Sequence, residues 1–158
     1  MESKLSLQEF RLRLKNNTEI GSPKLKLNPF GAFFSIFTSS SKPFYGLFDD
    51  KSFRLTMNYT IFPTFFILKG RYKIINRILT VYYDIEASPK FYLVWIKWFP
   101  LIALVLINVA FFFSEVQKEA IILPNLALVF IVLFSRWDLK LKRKNIEKKF
   151  IEIFELKE

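Results

Sequence analysis

Neither cysteine nor histidine occurs among the 158 residues, and glycine occurs only four times. Without cysteine or histidine there are no disulfides, thiolate nucleophiles, Cys/His zinc sites or haem histidines, and no Ser-His-Asp arrangement. Any catalysis would have to rest on carboxylates, lysines or hydroxyls. Four glycines in all leave no phosphate-cradling glycine loop. Missing cysteine fits a reducing cytoplasm without requiring one. No enzyme activity, cofactor or metal is expected from this composition.

What the chain has in abundance is apolar length. Two stretches, Phe91 to Phe113 and Ala120 to Ser135, are separated by six residues. The first, 23 residues long, would cover roughly 34 Å as a helix, enough to cross a hydrocarbon core of about 30 Å. The second, counted to Trp137, has 18 residues and would cover roughly 27 Å, spanning if it runs upright or the bilayer thins. The competing reading is a pair of core helices in a soluble domain. Roughly 110 residues would remain to wrap two helices that are apolar on every side, too few for the task. A transmembrane hairpin is therefore expected over 90–137, with segments 91–113 and 120–137.

Aromatic placement agrees. Phe91, Tyr92, Trp95, Trp98 and Phe99 crowd the start of the first segment and Trp137 closes the second, and such rings favour the headgroup level. Lys97 lies about two turns in, where its ammonium can snorkel to the same surface. Trp95, Lys97, Trp98 and Trp137 are thus the expected interface residues. Asn108 lies five residues before Phe113, and Asn125 five after Ala120. Folding at the loop brings both amides to one depth, so they are expected at a helix–helix contact, within the chain or across subunits. In the competing reading Pro124 and Asn125 simply begin the second helix.

Lys90 and Lys97 precede or enter the hairpin, and Arg136, Lys140, Lys142, Arg143 and Lys144 follow it. The connecting loop offers Lys118 beside Glu115 and Glu119. The positive-inside tendency then puts both termini in the cytoplasm, in the inner (cytoplasmic) membrane of a cell. The opening Met1-Glu2-Ser3-Lys4 does not read as a removable signal peptide.

The net charge is +10. It is spread out, with 14 Lys/Arg against 7 Asp/Glu in residues 1–90 and 8 against 5 from Arg136 onward. No helix-turn-helix, RNP-like or zinc-finger pattern accompanies it. Attraction to anionic lipid is the more economical explanation, and no nucleic-acid partner is expected.

Ahead of the hairpin, Ser6-Leu7-Gln8-Glu9 has the form of a capping box opening a helix through about Lys15, with Leu7, Phe10 and Leu14 on one face. The phenylalanine-rich stretch Pro29 to Phe37 is too short to span and admits three readings: a core helix turn, a buried strand or an interfacial wedge. From Lys42 the period becomes two. Phe44 to Phe48 and Phe53 to Asn58 flank the polar turn Asp49-Asp50-Lys51-Ser52 as a half-buried hairpin. A second hairpin follows, turning near Asn76. Phe66, Leu68, Gly70, Tyr72, Ile74, Leu79, Val81, Tyr83 and Ile85 share one of its faces. Lys69, Arg71, Lys73, Thr80, Tyr82, Asp84 and Glu86 share the other. Pro63 falls in the connection, where its missing N–H costs least, and Gly70 in mid-strand suggests a bulge or tight bend.

Phe44, Gly46, Phe48, Phe53, Asn58, Phe62, Pro63, Gly70, Thr80 and Val81 carry a resemblance, over residues 42–113, to uncharacterised bacterial membrane proteins. In those proteins a small pleckstrin-homology-like β domain precedes a membrane hairpin. The resemblance implies architecture and no activity.

Asp49-Asp50 has the look of a divalent-cation turn, against which stands ordinary backbone hydrogen bonding by a turn aspartate. Asp84 and Glu86, at i and i+2, have the spacing for paired acid/base work, but Lys69 and Arg71 opposite them favour cross-strand ion pairing. After the hairpin, Leu139, Ile146, Phe150, Ile153 and Phe154 form one helical stripe opposite Lys140, Lys144, Lys148 and Lys149. This tail has three destinations: the inner leaflet, the β domain, or another subunit.

The expected fold is an α+β membrane protein. It comprises a small antiparallel sandwich or barrel-like cytosolic β domain with an N-terminal helix over 1–89, the hairpin over 90–137, and a basic amphipathic helix over 138–158. The expected function is a membrane-anchored interaction module whose β domain binds a protein, peptide or lipid headgroup, as part of a larger system or homo-oligomer. The alternative is a ligand-gated effector that oligomerises and perturbs the bilayer.

Overall fold

The computed structural model describes residues 1–23, 42–58, 66–114 and 118–157. The Pro29 to Phe37 stretch, Phe62, Pro63 and loop residues 115–117 lie outside the described residues.

The capping box forms at its expected place. The Glu9 carboxylate accepts from the Ser6 amide at 2.9 Å, and Ser6 Oγ accepts from the Glu9 amide at 3.3 Å. Two of the donors that open α1 (Leu7–Asn17) are thereby satisfied. The helix ends where Thr18 takes extended geometry, and the chain continues directly into β2 (Thr18–Ile20).

One seven-stranded sheet organises the β domain. Its members are β1 (Glu2–Ser3), β2, β3 (Phe44–Phe48), β4 (Ser52–Met57), β5 (Phe66–Ile75), β6 (Ile78–Ala87) and β7 (Leu156–Lys157). Their order is β2-β3-β4-β5-β6-β1-β7. Two features depart from the expected antiparallel sandwich or barrel. The sheet is open in its described pairings, ending on β2 and β7. It is also mixed, because β2 leaves α1 running parallel to β3.

The second hairpin closes through Asn76 and Arg77, at φ 48° and 66°, the pair of left-handed residues that a two-residue type I′ turn demands. Gly70 makes no bulge. The β4–β5–β6 register runs through it unbroken, pairing it with Phe53 and Tyr83. Its role is close approach: a Cβ there would strike the Phe53 ring and lie 2.6 Å from the Tyr82 carbonyl.

The inner face of the sheet is core, while the outer face is exposed at Arg54, Arg71, Lys73, Tyr82 and Asp84 and buried at Thr56 and Ile67. Phe44, Phe53, Leu55, Leu68, Tyr72, Leu79 and Val81 are buried on the inner one. Against them pack Phe10 and Leu14 of α1 and Ile146, Phe150 and Phe154 from the C-terminal region, all at most 1% exposed. Aromatic contacts join the layers: Phe10 lies 4.6 Å from Phe154 and 4.8 Å from Tyr72, and Phe150 lies 5.1 Å from Phe53 and 5.3 Å from Tyr83. Burying each such ring contributes roughly 1.5–3 kcal/mol.

The chain divides into two compact units, Met1–Pro89 together with Lys142–Glu158, and Lys90–Leu141. Of the three destinations open to the tail, the β domain is the one it takes from Lys142 onward. Its apolar stripe finds a sheet face of matching character, and its end supplies β7, which pairs with β1. Arg13 secures the junction by donating to the Ile153 carbonyl at 2.7 Å and to Glu155 at 2.6 Å. Ser3 Oγ donates to the Phe154 carbonyl at 2.7 Å.

The other unit holds α2 (Lys90–Phe112) and the first part of α3 (Lys118–Ile153). Both helices are long and apolar enough to cross a membrane, and only 6% of the first apolar window and 0% of the second is buried. That exposure separates them from the core helices of a soluble domain. Pro124 is inside α3 and does not begin it.

Candidate ligand-binding face

The outer face of β4, β5 and β6 carries the chemistry that the core does not use. Because side chains alternate along a strand, the inward set Phe53, Leu55, Leu68, Tyr72 and Val81 obliges Arg54, Lys69, Arg71, Lys73, Tyr82 and Asp84 to point outward. Register then sets the neighbours. Arg54 is opposite Lys69, Lys69 opposite Asp84, Arg71 between Ser52 and Tyr82, and Lys73 opposite Thr80. These residues line an open concavity of about 1140 Å³.

Charge on this face is unevenly satisfied. Lys69 is ion-paired with Glu86, as cross-strand pairing would have it. Lys73 lies 5.6 Å from the centre of the Tyr82 ring, within cation–π range. Asp84 accepts from the Ile85 amide at 2.8 Å. Arg54 and Arg71 are exposed and form no ion pair among the described residues. Asp84 and Glu86 thus belong to a wet strand face among cations, and sequence periodicity had placed Lys69, Arg71, Lys73, Tyr82, Asp84 and Glu86 on one face. The cross-strand juxtaposition of Arg54 and Lys69 was not legible, because it depends on the register between two hairpins.

The Asp49 turn is settled by its hydrogen bonds. Asp49 Oδ1 accepts from the amides of Lys51 and Ser52, each at 2.7 Å, and Oδ2 accepts from Ser52 Oγ at 2.7 Å. These donors, the Lys51 amide first, hold its carboxyl below the ordinary aspartate range. Asp50 pairs with Arg11 at 3.3 Å. Tyr72 donates to the Asp49 carbonyl at 2.7 Å, and burial pushes its phenol up from the ordinary value.

Asn108 and Asn125 meet in the hairpin. Asn108 Nδ2 donates to Asn125 Oδ1 at 2.7 Å, and Asn125 Nδ2 returns a bond to Asn108 Oδ1 at 2.9 Å. Asn108 Nδ2 also reaches the Leu104 carbonyl at 2.8 Å. Trp95, Trp98 and Trp137 are 49%, 58% and 58% exposed, and Lys97 is exposed as well. Of the tail stripe, Leu139, Ile146 and Phe150 are buried and Ile153 is half-buried.

The residues that carried the family resemblance are chiefly builders of the fold. Phe44, Phe53 and Val81 are core. Gly46 lies so close to the Arg54 carbonyl that a Cβ would collide with it. Asn58 Nδ2 donates to Glu19 at 3.0 Å and to the Lys42 carbonyl at 3.2 Å. No family model matches the chain, and neither a curated protein nor a solved structure shows a match to it. The architecture is that of a β-rich domain with two long apolar helices, consistent with membrane insertion, and nothing singles out a pleckstrin-homology-like family.

Proposed function

We propose that this protein is a membrane-anchored interaction module, in which the hairpin holds the β domain at the cytoplasmic side of a membrane and the outer sheet face receives the partner. The carrying observation is the insertion of an apolar, unburied hairpin within one folded domain, whose parts are Met1–Pro89 and Lys142–Glu158. The assembly of one domain from both flanks of the hairpin supports a two-pass arrangement with both flanks on one side of the bilayer. The basic residues Arg136, Lys140, Lys142, Arg143 and Lys144 after the hairpin favour the cytoplasmic side.

Epitope tags at either end test the arrangement. Both are expected to resist labelling in intact cells and to react after permeabilisation, and labelling of one from outside overturns it. Reconstitution into dye-loaded vesicles tests the role. An anchored module retains the dye with or without added partner, whereas ligand-dependent release would favour the effector reading.

A further inference from the structure

We propose that the outer face of β4–β6 is an anion site for a ligand carrying two or more phosphate groups, with Arg54 and Arg71 as its principal contacts and Lys73 as a flanking charge. The assignment deepens the interaction-module reading and rests on it for the site's biological use. The geometry starts from strand physics. Residues at i, i+2 and i+4 on one face stand about 6.6 Å apart in succession, so Lys69, Arg71 and Lys73 form a cationic row roughly 13 Å long. Arg54 is directly opposite Lys69, at a spacing where like charges destabilise a sheet. Arg54 and Arg71 are diagonal neighbours across the β4–β5 ladder, roughly 7–8 Å apart at the backbone, which lets two long guanidinium side chains converge.

Neutralisation within the domain is selective. Glu86 serves Lys69, Asp50 serves Arg11, and Glu155 serves Arg13. The two arginines in the concavity form no ion pair among the described residues; of the two carboxylates that share it, Asp50 is paired with Arg11 and Asp84 accepts from the Ile85 amide. Guanidinium groups present paired donors in a planar fork that matches phosphate oxygens. A single carboxylate would answer one of them. A ligand with several phosphate groups answers both and reaches Lys73, whose ammonium is already held beside Tyr82. The same chemistry is offered by a soluble polyphosphorylated compound and by a phosphorylated lipid headgroup.

The test uses the full chain in phosphatidylcholine nanodiscs, titrated calorimetrically with inorganic tripolyphosphate. Saturable binding is expected, weakened roughly tenfold or more by Arg54→Gln or Arg71→Gln. Lys15→Gln, on α1, is expected to leave it unchanged. Arg71→Lys keeps the charge but loses the fork, and is expected to bind more weakly than wild type. In discs doped with a bisphosphorylated phosphoinositide, loss of tripolyphosphate binding identifies a lipid headgroup as occupant, and unchanged binding identifies a soluble ligand. Binding of polyglutamate as tight as tripolyphosphate, or binding indifferent to both arginine substitutions, overturns the phosphate assignment. Failure to bind by a protein that integrates with both termini cytoplasmic defeats this inference alone, whereas failure to integrate defeats the module reading.

Discussion

Asn108 and Asn125 exchange two side-chain hydrogen bonds, at 2.7 and 2.9 Å, across a hairpin whose other residues are largely apolar. Each amide uses a donor and an acceptor on the other, so neither needs a partner from lipid. Replacing one by leucine strands the other, and replacing both removes the need. Each single substitution is therefore expected to cost about 0.5–2 kcal/mol and the double to cost less than their sum. A double-mutant cycle by unfolding in detergent measures this, and strict additivity would show that the pair contributes no coupling.

The tail offers a sharper contrast. Phe150 is fully buried between Phe53, Tyr83 and Phe154, while Lys148 is exposed. Phe150→Ala is expected to destabilise by about 3–5 kcal/mol, and Ile146→Asp or Phe150→Asp to do at least as much by burying a charge. Lys148→Ala should stay within about 0.5 kcal/mol of wild type. Limited proteolysis of the C-terminal segment reports the order, and equal rates for wild type and the aspartate variants would contradict the burial.

Gly70 is required for space, not for backbone freedom. Gly70→Ala drives a methyl into the Phe53 ring and towards the Tyr82 carbonyl, and overpacking of this kind costs about 1–3 kcal/mol. Pairing it with Phe53→Leu, which shortens the obstructing side chain, should recover part of the loss. Thermal melts of the single and double variants check this, and a double variant no better than the sum of the singles would argue against the clash.

Acid sensitivity follows from two carboxylates. Hydrogen bonds from Ser6 hold Glu9 below its ordinary value, and those from the Lys51 and Ser52 amides and the Ser52 hydroxyl do the same for Asp49. A depressed folded-state pKa contributes stability above the unfolded value, about 4 for these groups, and that contribution is lost as pH falls through the folded value. Tyr72 works in the opposite direction: its raised phenol contributes stability that fades as pH rises above about 10. Melting temperature should therefore decline below about pH 4, and Asp49→Asn should flatten the decline. An unchanged slope in that variant would remove Asp49 from the account.

The hairpin, the two β-hairpins and the capped first helix could be read from residue order alone. In each, the deciding interaction is local: apolar length for α2 and α3, a period of two for β3 to β6, and Ser6 with Glu9 three residues on for α1. Residue order likewise separated Lys69, Arg71 and Lys73 from the core face, because alternation is a property of the strand itself. It did not disclose that β1, β2 and β7 exist. Strands of two or three residues carry no period, and they form because an exposed ladder nearby has free backbone groups. Nor did it decide among lipid, partner and β domain for the tail. An apolar stripe states that burial is favourable without naming the surface, and only the packed structure brings Phe150 and Phe154 onto Phe10, Phe44 and Phe53. The pairing of Arg54 with Lys69, and of Arg13 with a carboxylate 142 positions away, is tertiary for the same reason. Contacts between distant residues depend on how whole elements register against one another, which no window of sequence contains.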